Sequence, residues 1–416
     1  MTIQELRADI AKLDTGIDFQ RELLKRLERD RSVKQRQLNS ALDPVARLPL
    51  ELSSDIFLRS LPPFPEPGDP DVPILLLNIC NAWTDIALST PSLWAAIHIV
   101  FPGGLFPSTQ RLKTFVPIWL RRADNRPLSI SLSGANFDYD VVSVIWSHAQ
   151  QFKHLEISDI QSDDDDDDVL TTTPLWKGRI PGPMPSLETL TIHGAQLSPH
   201  DILDLLRLAP NLIECTLEPV VRIDVDEILV LPKLRRLMFG ERATAPSYDF
   251  EILDRLSLPG LETLLANAIP DILLSFLRRS SPPLRELVLG KDSYFPLPAE
   301  CLHLVPALPS EAVFAGLAES PALLPHLNAL VLHVTVYVIS DSFWAALHRA
   351  LLARRAEFQL VQITVLGRLP DSKMPSPDLI AAFRALALDG VQIQLGLTRE
   401  IWHGVGDPET WNHTFA

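Results

Sequence analysis

Apolar positions recur along this chain with three different spacings, and each spacing predicts a different element. From Ile3 the heptad positions read Ile3, Leu6, Ile10, Leu13, Ile17, Gln20, Leu24 and Leu27, all apolar but one. That pattern predicts a coiled-coil seam along one helix, ending where Arg31 and Lys34 interrupt it. Residues 45–61 carry two stripes at helical spacing: Val45, Leu48, Leu52 and Ile56 on one side, and Leu50, Phe57 and Leu61 roughly opposite. A domain of about fifty residues has little interior, so one stripe fills it and the other is expected to be covered by a partner. Leu76, Cys80, Trp83 and Ala87 repeat the helical spacing, and Ser89-Thr90-Pro91 turns the chain toward Leu93 and Trp94.

Beyond residue 101 the pattern changes to Leu-x-x-Leu-x-Leu. It recurs at Phe152-Leu155-Ile157, Leu187-Leu190-Ile192, Leu212-Cys215-Leu217, Leu234-Leu237-Phe239, Leu261-Leu264-Ala266, Leu284-Leu287-Leu289, Leu327-Leu330-Leu332 and Leu360-Ile363-Val365. Leu128-Ile130-Leu132 and Val391-Ile393-Leu395 read as flanking strands. Helix starts lie between them: Ser198-Pro199 and Ser376-Pro377 each offer a cap and a first-turn proline, and Pro270-Asp271 and Asp341-Ser342 open two more. Short strands alternating with helices, none able to bury its apolar face alone, predict stacking into a curved solenoid with parallel strands on its concave side. The residues between the apolar members then face that side: His154 and Glu156, Thr189 and Thr191, Glu214 and Thr216, Arg236 and Met238, Glu286 and Val288, Gln362 and Thr364. Their mix of hydroxyl, charged and apolar groups suits recognition of a protein or peptide.

Leu48-Pro49, the Cys80 to Trp83 helix and Pro91 to Trp94 together resemble the F-box domain in its diverged fungal form. Leu50 and Ser53 stand where that family more often has proline and an aliphatic residue. The resemblance implies docking on a Skp-type adaptor of a cullin-RING ubiquitin ligase, with Leu48, Pro49, Leu50, Phe57, Leu61, Trp83 and Trp94 as the adaptor-binding residues. The downstream motif resembles a leucine-rich repeat, although no copy has the Asn or Cys that regular repeats place three residues after the third apolar position. Turns without that side-chain ladder are expected to close in other ways and to give an uneven arc.

The expected class is therefore α/β, with a coiled-coil helix at residues 1–42, a small all-α F-box-like domain at 43–101 and an irregular leucine-rich-repeat-like solenoid at 102–416. The function this implies is a substrate receptor of a ubiquitin ligase, not an enzyme, that captures an unknown protein substrate on His154, Glu156, Thr189, Thr191, Glu214, Thr216, Arg236, Met238 and Glu286. The alternative is a ligase-independent scaffold that forms a homodimer through residues 3–27.

Composition and charge narrow the partners. Net charge is −15, and residues 1–42 hold nine Lys or Arg against seven Asp or Glu, so the remainder carries −17. An acidic body of this kind repels phosphate backbones, which argues against nucleic-acid binding. Cys80, Cys215 and Cys301 are far apart and lack metal-ligand spacing, so no disulfide framework, metal or other cofactor is expected. The start, MTIQELRADIAKLD, lacks the apolar core of a signal peptide. No apolar run reaches a membrane span, and Leu327 to Ile339, the nearest, reads as a strand. A cytoplasmic or nuclear location fits these features. The Asp163 to Asp168 run reads as a solvated loop. Gly290-Lys291-Asp292 lacks the hydroxyl and first glycine of a phosphate loop, and His193, His200 and His333 read as surface or capping side chains.

Overall fold

The computed structural model describes residues 3–65, 73–101, 108–134, 137–158, 182–193, 199–217, 227–239, 249–266, 270–289, 311–320, 324–335, 339–366, 374–398 and 411–414. It divides into a unit of residues 1–99 and 115–129 and a second of 100–114 and 130–416. The Asp163 to Asp168 run, Cys301 and Gly290-Lys291-Asp292 fall outside the described residues.

The first unit is helical. Helix α1 (Ile3–Leu42) is rich in Leu, Arg, Lys, Gln and Glu, which lose little rotamer freedom in a helix, and contains no proline. A short 3-10 turn at Val45–Arg47 leads to α2 (Leu50–Ser60), followed by α3 (Pro73–Ile79) and α4 (Asn81–Leu88). The expected single stripe over Leu76 to Ala87 is split between two helices, because Cys80 adopts extended backbone at φ −156° and ends α3. Thr84 Oγ donates toward the carbonyls of Leu77 and Cys80, at 2.9 and 3.0 Å, and the Cys80 carbonyl also accepts the Thr84 N–H at 3.0 Å, so the break is bridged from the first turn of α4. A second 3-10 turn, Pro91–Trp94, precedes β1 (Ala96–Val100). Helix α5 (Ser108–Ala123) contributes Trp119 to this core from its C-terminal half.

The second unit is α/β. Its strands are β2 (Leu128–Ser133), β3 (Phe152–Ser158), β4 (Thr189–His193), β5 (Glu214–Leu217), β6 (Leu229–Val230), β7 (Arg236–Phe239), β8 (Leu256–Ser257), β9 (Thr263–Ala266), β10 (Glu286–Leu289), β11 (Ala329–Thr335), β12 (Leu360–Leu366), β13 (Gln392–Thr398) and β14 (Trp411–Thr414). Between them lie α6 (Tyr139–Trp146), α7 (Pro199–Leu208), α8 (Asp249–Arg255), α9 (Pro270–Ser280), α10 (Glu311–Glu319), α11 (Asp341–Ala353) and α12 (Pro377–Leu388). The main sheet runs in chain order β2-β3-β4-β5-β7-β9-β10-β11-β12-β13-β14 and is open, while β6 and β8 pair separately. Pairing is parallel from β3 to β13, and β14 is antiparallel to β13. Ser376 caps α12 as expected, and α11 opens at Asp341 as expected, with Ser340 as its cap.

The register places the apolar motif members side by side. Leu155, Leu190, Cys215, Leu237, Leu264, Leu287, Leu330, Val361 and Ile393 form one row, and each is at most 3% exposed. The last motif copy is corrected by two residues. Val361 and Ile363, with Phe358 before them, occupy the inward positions, while Leu360 pairs with Ala329 on the other parity and is half-buried. Burial pushes the Cys215 thiol up to about 12, so it is inert packing material.

Guanidinium groups close two of the turns. Arg279 donates to the carbonyls of Leu253 and Leu256, at 2.8 and 2.9 Å, at the end of α8. Arg354, 2% exposed, donates to those of Leu317, Ser320 and Leu324 at 2.8 to 2.9 Å, at and beyond the end of α10. Each cation thus satisfies terminal carbonyls of the preceding helix and complements its dipole. Burial draws the Arg354 guanidinium below its usual value, with Glu357 acting in the opposite direction. Backbones also approach closely ahead of neighbouring strands, and a Cβ on Gly260 would lie 2.5 Å from the Pro232 carbonyl oxygen.

Candidate docking surfaces

In the helical unit the expected adaptor-binding residues divide into a scaffold and a surface. Phe57 is 1% exposed and its ring meets Trp83 at 4.7 Å. Trp94 is fully buried, donates from Nε1 to the Ala87 carbonyl at 2.9 Å, stacks edge-on with Trp119 at 5.1 Å and carries the Arg122 guanidinium 4.5 Å over its ring. Burial, with Arg121 beside it, draws the Arg122 guanidinium below its usual value. Trp83 and Leu61 are half-buried. Leu48, Pro49 and Leu50 are exposed, at 40% for Leu48 and 46% for Leu50.

Burial separates the two α2 stripes only in part. Phe57 and the fully buried Ser53 point inward, while Leu52 and Ile56 are 55% and 44% exposed and Leu50, in the stripe of Phe57, is 46% exposed. Ser53 is tolerated inside because its hydroxyl donates toward the carbonyls of Val45 at 3.1 Å and Pro49 at 3.3 Å. Ser54 and Thr90 share a hydrogen bond at 2.8 Å, tying α2 to the turn that carries Leu93 and Trp94. With its interior filled by two tryptophans and a phenylalanine, this unit still leaves Leu48, Leu50, Leu52 and Ile56 to solvent.

In the sheet unit the expected recognition residues share one face. His154, Thr189, Glu214, Arg236, Thr263, Glu286 and Ala329 form one row across β3 to β11. Glu156, Thr191, Thr216, Met238, Leu265, Val288 and Val331 form the next. Except for exposed Arg236, all of these are half-buried. The face changes character along the sheet, from hydroxyl and carboxylate groups on β3 to β5 to the contiguous apolar set Met238, Leu265, Val288 and Val331 on β7 to β11. Thr263, Leu265 and Val331 were not among the expected contacts, although the parity of their own motif copies marks them. Arg236 reaches Glu214 at 3.3 Å across the strands. Gln362 lies on the same face and is half-buried.

His154 begins the first row. Burial foremost, then Lys153, draws its imidazole below the usual value against the pull of Glu188 and Glu214. An open cleft of about 720 Å³ lies where α9 and α10 end, lined by Arg278, Glu319 and His326 among prolines and leucines. Among the described residues no cluster of three or more His, Cys, Asp or Glu could hold a metal ion, and no helix is long and apolar enough to cross a membrane. No protein-family model, curated protein or solved structure matches the chain.

Proposed function

We propose that this protein is the substrate receptor of a cullin-RING ubiquitin ligase, docking a Skp-type adaptor through its F-box-like helical unit and a protein substrate through its strand face. The observation that carries this reading is the exposure of Leu48, Leu50, Leu52 and Ile56 on a unit whose interior is already filled. Exposed apolar side chains grouped on one helix and its lead-in mark a protein contact more often than a solvated face. In this reading the sheet unit is an irregular leucine-rich-repeat-like solenoid, and its half-buried rows are where a substrate protein is held. The chain supplies no catalytic group: it raises the substrate's effective concentration beside a charged conjugating enzyme. The adaptor and its ligase place that action in the cytoplasm or nucleus.

The test is capture of the host's Skp-type adaptor by the purified full chain. Replacing Leu50, Leu52 and Ile56 with serine is expected to weaken capture by roughly 30-fold or more, since central apolar anchors each contribute about 2 kcal/mol. The circular dichroism spectrum and thermal midpoint are expected to stay close to those of the native chain, because all three side chains are exposed. Capture by the variant at native strength, or none by the native chain, would overturn the assignment and favour a scaffold that works without a ligase.

A further inference from the structure

Among the described residues nothing covers the seam of α1. Ile3, Leu6, Ile10, Leu13, Ile17, Leu24 and Leu27 are between 44% and 73% exposed. Among the described residues the helix is held at its end: Asn39 donates to the Ile79 carbonyl at 3.0 Å, and Arg47 donates to that of Ala41 at 3.0 Å. Residues 3–27 thus form a helix of roughly 38 Å, and a lone helix with such a surface is marginal in water.

We propose that a second copy of this chain covers the seam, in a parallel, in-register, two-stranded coiled coil. Three features select that occupant. Ile3, Ile10 and Ile17 occupy successive a positions, and Leu6, Leu13 and Leu27 occupy d positions. Isoleucine at a with leucine at d is the combination that favours two parallel strands. Gln20 sits at the remaining d position. In a parallel, symmetric pair it faces its own copy, and the two amides bond to each other. In an antiparallel pair it would face an isoleucine and lose its partner. The area also fits: the exposed seam offers on the order of 700 Å² per helix, so two helices bury about 1,400 Å², within the range of a specific interface. The seam stops at Arg31 and Lys34, just before the segment of α1 that Asn39 ties to α3. Pairing therefore leaves the anchored end undisturbed.

The inference concerns the chain alone and does not depend on adaptor binding. Light scattering of the purified full chain under reducing conditions is expected to give twice the 46.4 kDa chain mass, with dissociation on dilution. The triple variant I10K/L13K/I17K is expected to run as a monomer with the second unit still folded. Q20C, oxidised after purification, is expected to yield a covalent dimer in high proportion, because only the parallel register brings the two positions together. A monomeric native chain, a dimer that survives the triple variant, or a native dimer that Q20C fails to cross-link would each overturn the proposal.

Discussion

Helix α1 and the strands of the sheet unit are both built on leucine and isoleucine, and they meet water in opposite ways. In the strands the motif members from Phe152 to Ile363, Leu360 excepted, are at most 3% exposed, whereas the seam of α1 is about half exposed or more. The difference lies in what each pattern can find nearby. A strand with period-two alternation is matched by the next motif copy a few tens of residues on, in register and in the same chain. A heptad stripe needs another helix of matching period, and among the described helices α1 alone carries a long one.

The sharpest way to break this comparison is to shorten the same side chain in both places. Leu264, fully buried between Leu237 and Leu287, is expected to lose about 2 to 5 kcal/mol of unfolding free energy on Leu264→Ala, through lost burial and the cavity left behind. Leu13→Ala, at 66% exposure, is expected to change the unfolding free energy of the diluted chain, read by urea titration, by no more than about 0.5 kcal/mol, typical of surface positions. Equal losses at the two sites would show that α1 is covered by its own chain. The second effect concerns turn closure. Arg354→Leu removes three charge-assisted bonds, to the carbonyls of Leu317, Ser320 and Leu324, of which only that of Leu324 has a further donor described, the Leu327 N–H, at a cost of about 3 kcal/mol in the same urea titration. A midpoint unchanged by Arg354→Leu would mean that water or backbone replaces the guanidinium without loss.

What the sequence revealed follows from how local each determinant is. The motif copies mark strand positions and face because alternation is a property of a few adjacent residues, and the register then aligns them. The copy at Leu360 misleads because Leu360, Val361 and Ile363 are all apolar, and the inward choice falls to the neighbour in β11. The two α2 stripes were visible, but which one turns inward depends on Trp83 and Trp94, and on a serine whose hydroxyl finds two carbonyls. Nothing in the spacing of Leu76 to Ala87 reveals the extended residue at Cys80. The arginine closures were hidden for a different reason: Arg354 bonds to carbonyls 30 to 37 residues earlier in the chain.

The smallest expected effect lies on the open face of the sheet unit, where the rows are neither fully buried like the motif members nor as free as α1. His154 there has an imidazole whose value is lowered chiefly by burial, and His348, beside Phe383 at 5.6 Å, is lowered by burial as well. Both are neutral in the folded and unfolded chain above the ordinary value of about 6.5, so they contribute nothing to the pH dependence there. As pH falls through that value the unfolded chain takes up protons first, and stability declines until the folded groups also titrate. His154→Gln is therefore expected to give a chain whose urea midpoint falls less than that of the native protein between about pH 7 and pH 5. Half exposure keeps the difference small, because solvent screens the charge. If the gap between variant and native midpoints stayed constant over that range, His154 would titrate alike in both states, and the face would be as open to water as the flank of α1.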